Sequence, residues 1–286
     1  MILVTYYGPV GAVNLGIKFS KDVLSVLIDR SVVSGQHPRL LGKLAELNWM
    51  LLRGQWKKSQ PLADAVDADL VEGMGQLLAV VAEQNLPSFP VRFQAAVVCS
   101  AISIVRSLKN SQGQPTADLI RLLDKWVRPA AHCAQACLLQ MGVSLQADDQ
   151  PATGSGSTSF VTALCLALLR ELILLISKED ASSNSSSSSS SISNNSNCNW
   201  MAALQENFLL QCVISGIQMC IHLRRGWDVV EAAFAVLHAV AATSAGSNVL
   251  TSLQLEQFLW LPLEAICEFH ASLYLFRIDY FVLIVC

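Results

Sequence analysis

The sequence predicts an all-α protein, arranged as an irregular α-solenoid of helix pairs of the HEAT or armadillo kind. Apolar residues recur every three or four positions in nearly every segment, and period-two alternation is almost absent. Apolar residues make up 52% of the 286 residues and charged residues only 14%, with a mean hydropathy of +0.44. Because polar residues interrupt the apolar stretches every few positions, we expect helices packed on both sides by other helices.

The amino-terminal part is expected to begin with an irregular segment over residues 1–16, because three glycines and Pro9 interrupt it. No basic residue precedes its apolar residues, which argues against a signal peptide. A helical repeat region is predicted over residues 17–181. Its first helices are expected at 17–33, 37–53, 61–85 and 91–108, with a fifth beginning after 116.

The predicted helix over 61–85 has the clearest amphipathic pattern, with apolar residues stepping by three or four. Asp64, Asp67 and Asp69 form a carboxylate cluster in its first turns. There they favour the helix dipole, and we interpret them as a solvated cluster with no chemical role. Pro87 separates this helix from the next.

The fifth helix is expected to be capped by Thr116 and to be kinked or divided by Pro129 near Trp126. A polar connector over 146–159 leads to a strongly apolar helix over 160–177.

A Ser/Asn-rich insert over residues 182–199 contains seven consecutive serines and too few apolar residues to bury surface. We therefore expect it to be disordered. The helical repeat region resumes over 200–286 and continues to an apolar carboxy-terminal tail.

The region after the insert contains a predicted helix hairpin of 200–223 and 228–243. Gly226 is expected to follow the first helix in a left-handed conformation, and Asp228 is expected to cap the second. Residues 244–247 are expected to end the second helix of the hairpin. A last helix is then expected to begin at Thr251 and to be kinked by Pro262. The total is about nine helices, with an irregular helical bundle as the alternative architecture.

Charge and cysteine content exclude several classes of function. The formal net charge is −3, and no basic face is large enough to neutralise a run of phosphates, so direct nucleic-acid binding is disfavoured. The nine cysteines are odd in number and irregular in spacing, which favours a reducing compartment over a disulfide framework. Cys133 and Cys137, with His132, lie one helical turn apart, but no second pair matches them, so no metal is expected.

The sequence contains no recognisable catalytic or cofactor-binding motif. It has no G-x-S-x-G sequence, and its five histidines lack a catalytic context. Gly73 and Gly75 lie inside a predicted helix, not in a phosphate-binding loop after a strand. We therefore expect a protein that is not an enzyme and that uses no cofactor.

The main alternative is a multi-pass membrane protein. Residues 207–223 carry no formal charge, although Gln211, Ser215, Gln218 and His222 form one polar stripe. The 160–177 helix carries the pair Arg170 and Glu171 in its middle, which is costly in lipid and ordinary at a protein interface.

Two features are candidate interaction sites. Trp49 and Trp56 flank a basic turn and are candidates for anchoring a protein partner, the alternative being wedges between neighbouring repeats. The last fourteen residues, LYLFRIDYFVLIVC, form an apolar tail that we expect to be an interface, either in a longer chain or in an assembly.

Two stretches carry a family resemblance: HPRLLGKLAELNWMLLRGQW at 37–56 and the hairpin ALQENFLLQCVISGIQMCIHLRRGWDVVEAAFAVLHAVAATSAGSNVL at 203–250. With their long uncharged Leu/Ala/Cys helices and polar inserts, they resemble a segment of the large α-solenoid scaffold nucleoporins. The resemblance implies a structural component of the inner ring of the nuclear pore, at the nuclear envelope, that binds other nucleoporins. The serine insert and the tail depart from that pattern. A cytosolic HEAT-like adaptor remains a further alternative.

Overall fold

The computed structural model describes residues 2–29, 38–53, 66–109, 115–147, 155–183 and 199–255, and all regular structure within them is helical. The prediction of an all-α fold is confirmed. The described helices, in chain order, are α1 (Ile2–Ile28), α2 (Pro38–Arg53), α3 (Ala68–Glu83), a 3₁₀ turn (Leu86–Ser88), α4 (Val91–Lys109), α5 (Ala117–Ala147), α6 (Ser155–Ser183), α7 (Asn199–Glu206), α8 (Leu209–Leu223), α9 (Trp227–Ala241) and α10 (Ser244–Ser252).

The helices lie in two layers. In one layer α1 contacts α3, α3 contacts α5, and α5 contacts α8; in the other α2 contacts α4, α4 contacts α6, and α6 contacts α9. Across the layers, α1 packs on α2, α5 on α6, and α8 on α9, while α3 and α4, joined by the 3₁₀ turn, touch each other little. The described helices therefore lie side by side as successive pairs, which is similar to the contact pattern of a solenoid.

Helix α6 lies in the middle of this stack, which explains its strongly apolar sequence. It contacts α4, α5 and α9, and of its residues 158–177 only Phe160 is exposed. A helix that is apolar on all sides is stable where neighbours cover all its sides.

The core is one continuous cluster of buried side chains that includes residues of every pair. Trp126 of α5, 1% exposed, is among its largest members. The indole lies so close to α3 that a Cβ on Gly75 would be 2.5 Å from Trp126 Nε1 and 2.9 Å from Cδ1. Gly75 therefore permits α3 and α5 to approach at this point.

A buried chain of polar side chains links three helices. Ser20 Oγ of α1 donates to Asn48 Oδ1 of α2 at 2.6 Å, and Asn48 Nδ2 donates to Ser100 Oγ of α4 at 3.2 Å. Ser100 Oγ in turn donates to the carbonyl of Ala96 at 2.8 Å. Because buried polar groups are costly unless paired, this chain fixes how α1, α2 and α4 meet.

The amino terminus differs from the prediction of an irregular segment over 1–16, because α1 begins at Ile2. Once a helix has formed, each further residue adds one hydrogen bond at low entropic cost. Glycine lowers helix propensity without forbidding the helical conformation. Extension of the 17–28 helix thus accounts for the difference.

The start of α3 also differs from the prediction, and its aspartates are engaged with α1. Asp67 is the N-cap, accepting a hydrogen bond from the Leu70 N–H at 3.0 Å. Lys21 Nζ of α1 lies 2.5 Å from Asp67 Oδ2 and 3.2 Å from Asp69 Oδ2. Burial alone would lower the pKa of Lys21, but the hydrogen bonds and charges of the two aspartates outweigh it and raise that pKa. The side chains of Asp67 and Asp69 are 50% and 83% exposed, as the interpretation of a solvated cluster at the helix start expects, and the structure adds their pairing with Lys21. Asp64 lies outside the described residues.

Two further predictions concern breaks within helices. Pro129 does not divide the fifth helix, since α5 is continuous through it; the alternative, a kink at this proline, stays a prediction. The predicted 200–223 helix is interrupted at Phe208, which adopts a left-handed conformation with φ 49° between α7 and α8. Its backbone N–H bonds the carbonyl of Gln205 at 3.0 Å, which closes a turn there.

The hairpin turn is at the predicted place but is built differently. Gly226 is left-handed, with φ 70°, as predicted. It is the N-cap of α9, however, and Asp228 makes no capping hydrogen bond. Helix α8 is closed by left-handed Arg224, with Arg225 N–H bonding Cys220 O at 3.0 Å. Asp228 lies in the first turn of α9 and acts there only through its charge.

The last described helix begins earlier than predicted. Thr243 caps α10 by accepting from the Gly246 N–H at 3.1 Å, so residues 244–247 form its first turn, and Thr251 lies near its end. Of the predicted disordered insert, residues 182, 183 and 199 belong to helix ends, and 184–198 lie outside the described residues. Pro262 and the apolar tail also lie outside them.

Candidate interaction surfaces

Of the two tryptophans proposed as a partner anchor, only Trp49 belongs to the described residues. Trp49 is half-buried and packs against the core, and Trp56 lies outside the described residues. Their role at a partner interface stays a prediction.

One face of α1 points away from the rest of the stack. Lys21 and Leu24 lie on the side of α1 that packs on α3. Lys21 forms an ion pair with Asp69, and Leu24 lies beside Gly73. At 100° per residue, Phe19 and Val26 lie about 160° and 140° around the helix from Lys21. Both are exposed, by 48% and 46%.

Helix α2 continues this face. Its residues Leu41, Ala45, Asn48 and Leu52 are buried towards α1 and α4. On the side away from α4, three apolar residues are exposed around the equally exposed Lys43. They are Leu40, Leu47 and, at the outer edge, Met50.

These five side chains, Phe19, Val26, Leu40, Leu47 and Met50, are called the end face below. They lie on the first helix pair of the stack, on the side that has no further helix pair among the described residues. Large exposed apolar side chains grouped on one side of a protein mark an interaction site more often than free surface.

A second notable cluster surrounds a buried carboxylate between α4 and α6. Glu171 is 5% exposed, and its carboxylate oxygens lie 2.9 Å from Lys109 Nζ, 3.2 Å from Arg170 Nη1 and 3.6 Å from Arg106 Nη2. Burial alone would raise the pKa of this carboxyl. The hydrogen bond from Lys109 and the three positive charges outweigh burial and hold the pKa below its ordinary value of 4.5. The cluster therefore stabilises the contact between α4 and α6 as an ionised network.

Four cysteines gather on three central helices. Cys137 Sγ of α5 and Cys165 Sγ of α6 are 4.0 Å apart and buried. The hydrogen bond to Cys137, burial, and the charges of Cys137, Cys133 and Cys99 raise the pKa of Cys165 well above its ordinary value. Burial, with Cys137, likewise raises the pKa of Cys133. Such thiols are poor nucleophiles.

Metal-ligand geometry is not found in the described part of the chain, where no group of three or more His, Cys, Asp or Glu side chains is placed to hold an ion. His132, next to Cys133, points to solvent, as does His222 beside the Cys212–Cys220 stretch. The cysteines are thus part of the packing.

The burial of these thiols predicts their reactivity. With the folded protein at pH 8, Cys133, Cys137 and Cys165 are expected to resist alkylation, because all three are buried and the pKa values of Cys133 and Cys165 are raised. Among the described cysteines, the half-exposed Cys99 and Cys212 are expected to react before these three. Peptide mapping by mass spectrometry after timed alkylation measures each site. Labelling of Cys165 at the rate of Cys99 would contradict the described packing.

Length and composition alone would allow some of these helices to cross a membrane. Among the described residues, the helices over 91–109 and 158–177 are long and apolar enough to span a membrane, with mean hydropathies of 1.4 and 2.2. Helices α9 and α10, which are bent by 117° relative to each other, would be a third span if they are counted as one. About 61% of each of the first two windows is buried inside the protein. The polar stripe of α8 is largely at the surface, since Gln211, Ser215 and His222 are exposed.

The geometry defines the class of protein: an all-α stack of helix pairs with an exposed apolar end face. Comparisons with protein-family models, with curated proteins and with solved structures found no match.

Proposed function

We propose that this protein is a non-catalytic helical scaffold that binds other proteins through its extended surfaces. The observation that carries the proposal is the end face, where the first helix pair among the described residues presents apolar side chains that are 41–58% exposed. Burying a large apolar side chain contributes about 1.5–3 kcal/mol, so covering this face with a partner is favourable.

The finer proposal is a structural role in the inner ring of the nuclear pore, with other nucleoporins as partners and the nuclear envelope as the location. It is supported by the sequence resemblance and by the solenoid-like stacking of helix pairs, which large scaffold proteins use to present extended binding surfaces. A cytosolic HEAT-like adaptor would use the same stacked helix pairs to bind proteins, but its partners and its location would differ.

Proximity labelling of the tagged full-length chain tests this proposal. Enrichment of pore scaffold proteins, with the tagged chain at the nuclear rim, is the expected result. Leu40→Glu, on the end face, should reduce that enrichment, while Leu139→Glu, a similarly exposed leucine on α5, should not. Diffuse cytosolic location with other partners would favour the adaptor, and turnover of a substrate would contradict the scaffold.

A multi-pass membrane protein is the second candidate, favoured by the two apolar helices α4 and α6. In the described structure these helices are covered by other helices, and the exposed polar stripe of α8 would meet lipid at high cost. Carbonate extraction separates the two functions: a scaffold is released from membranes, whereas a spanning protein stays in the pellet.

A further inference from the structure

Two buried thiols from different helices lie in contact at the centre of the stack. Cys137 Sγ of α5 and Cys165 Sγ of α6 are 4.0 Å apart, and each residue is 1% exposed. We propose that this pair is a reversible redox switch, in which a peroxide converts the two thiols into a disulfide that joins α5 to α6. The inference goes beyond the proposed scaffold function, because it concerns how the central helix pair responds to an oxidant.

The backbones of the two helices are close at this level. Thr162 of α6, about one turn before Cys165, donates its hydroxyl to the carbonyl of Cys137 at 3.4 Å. Because a threonine side chain is short, the α5 backbone lies within a short reach of α6 there. The sulfurs in a disulfide are about 2.0 Å apart. The two thiols therefore need to approach each other by about 2 Å, which side-chain rotation and a small shift of α5 against α6 can supply.

The route for the oxidant is the half-exposed Cys99 of α4. Its charge is one of the causes that raise the pKa of Cys165, so the two thiols are near each other. Helix α6 contacts both α4 and α5. Cys99, Cys165 and Cys137 thus lead from the surface of α4 to the core between α5 and α6. A peroxide is expected to react at Cys99 first, because solvent reaches that thiol and not the buried pair.

The reaction balances in three steps. The Cys99 thiolate attacks the peroxide, whose O–O bond breaks, so that a sulfenic acid and one water form. The Cys165 sulfur then displaces the hydroxyl group of the sulfenic acid, which leaves with the thiol proton as a second water, and an S–S bond joins Cys99 to Cys165. Finally Cys137 attacks Cys165, which forms the Cys137–Cys165 bond and returns Cys99 to its thiol. In total, two thiols lose two electrons and two protons, and hydrogen peroxide is reduced to water.

Burial makes the later steps slow, and contact makes them selective. The pKa of Cys165 is raised well above its ordinary value by its hydrogen bond with Cys137, by burial and by its thiol neighbours, so little thiolate is present. Cys137 is held beside its target, which acts as a high effective concentration. Cys99 is a suitable leaving group, because water can solvate its thiolate. Oxidation over minutes to hours is therefore expected.

Peptide mapping of the intact chain after treatment with hydrogen peroxide tests the switch. Trypsin and cyanogen bromide together separate a peptide over 126–141 from one over 142–170, which carries Cys165. A disulfide between these two peptides is expected to accumulate within one chain and to disappear when dithiothreitol is added. The chain unfolded in urea and treated in the same way should give a mixture of pairings. The same mixture from the folded protein would overturn the proposal.

Three alanine variants identify the sulfurs, with circular dichroism confirming that each one folds. Cys165→Ala should abolish the link. Cys133→Ala removes another buried thiol, one turn from Cys137, and should leave the link unchanged. Cys99→Ala should slow its formation by about tenfold, because the oxidant loses its exposed point of entry. Folded wild type in which Cys99 is oxidised while no link joins 126–141 to 142–170 would overturn the switch, and a link that forms at the wild-type rate in Cys99→Ala would overturn the proposed route.

Discussion

Replacing Gly75 with alanine is expected to lower the free energy of unfolding by about 1–3 kcal/mol, the usual cost of overfilling a packed core. The added Cβ would lie 2.5 Å from Trp126 Nε1, closer than any real contact, so α3 and α5 would have to separate. Trp126 has little freedom to move because it is 1% exposed. Urea unfolding followed by circular dichroism measures the change.

Gly73→Ala, two residues away on the same helix, is the matched control. Its Cβ would meet Leu24 Cδ1 at 3.7 Å, an ordinary contact. Because alanine favours the helix over glycine, this variant is expected to be more stable than wild type by about 0.5–1 kcal/mol. If both alanine variants were more stable than wild type, helix propensity and not the Trp126 contact would determine the free energy of unfolding.

Replacing Glu171 with glutamine is expected to cost about 1.5–3 kcal/mol at neutral pH, because Lys109, Arg106 and Arg170 lose their shared counter-charge. The three cations are at least 30% exposed and retain part of their hydration, which keeps the loss below that of a wholly buried pair. The exposed Glu231→Gln on α9 is the control and is expected to change stability by less than about 0.5 kcal/mol.

The pH dependence distinguishes a charge effect from a packing effect. The folded pKa of Glu171 is below 4.5, so its charge stabilises the fold fully above that value, and the stabilisation is lost as the pH falls through the folded pKa. The difference between wild type and Glu171→Gln should therefore be constant near neutrality and shrink below about pH 4.5. A difference that does not change with pH would contradict the ionised network.

The helices themselves were largely predictable from the sequence. The periodicity over 37–53 and 91–108 matches α2 and α4 closely because both helices bury one wide apolar stripe. Thr116 was recognised as a cap, and its Oγ1 accepts from the Leu119 N–H at 3.4 Å. The break at Phe208 was missed because no glycine or proline marks it, and tertiary packing overrides the local preference there.

The long-range features that define the candidate site were not predictable in the same way. The contacts of Lys21 with Asp67, of Ser20 with Asn48, and of Glu171 with Lys109 join helices 28 to 62 residues apart in sequence. Helical periodicity carries no information about such pairings. The end face did leave a signal: the leucines of α2 form a stripe too wide for one buried side, which indicates a second surface to cover.

Hydrogen exchange of the intact chain tests the central claim most directly, namely that the described helices pack side by side as successive pairs. The slowest exchange is expected in α4, α5 and α6, which have neighbours on most sides, and faster exchange is expected in α1 and α2. Exchange in α6 as fast as in α1 would contradict the account.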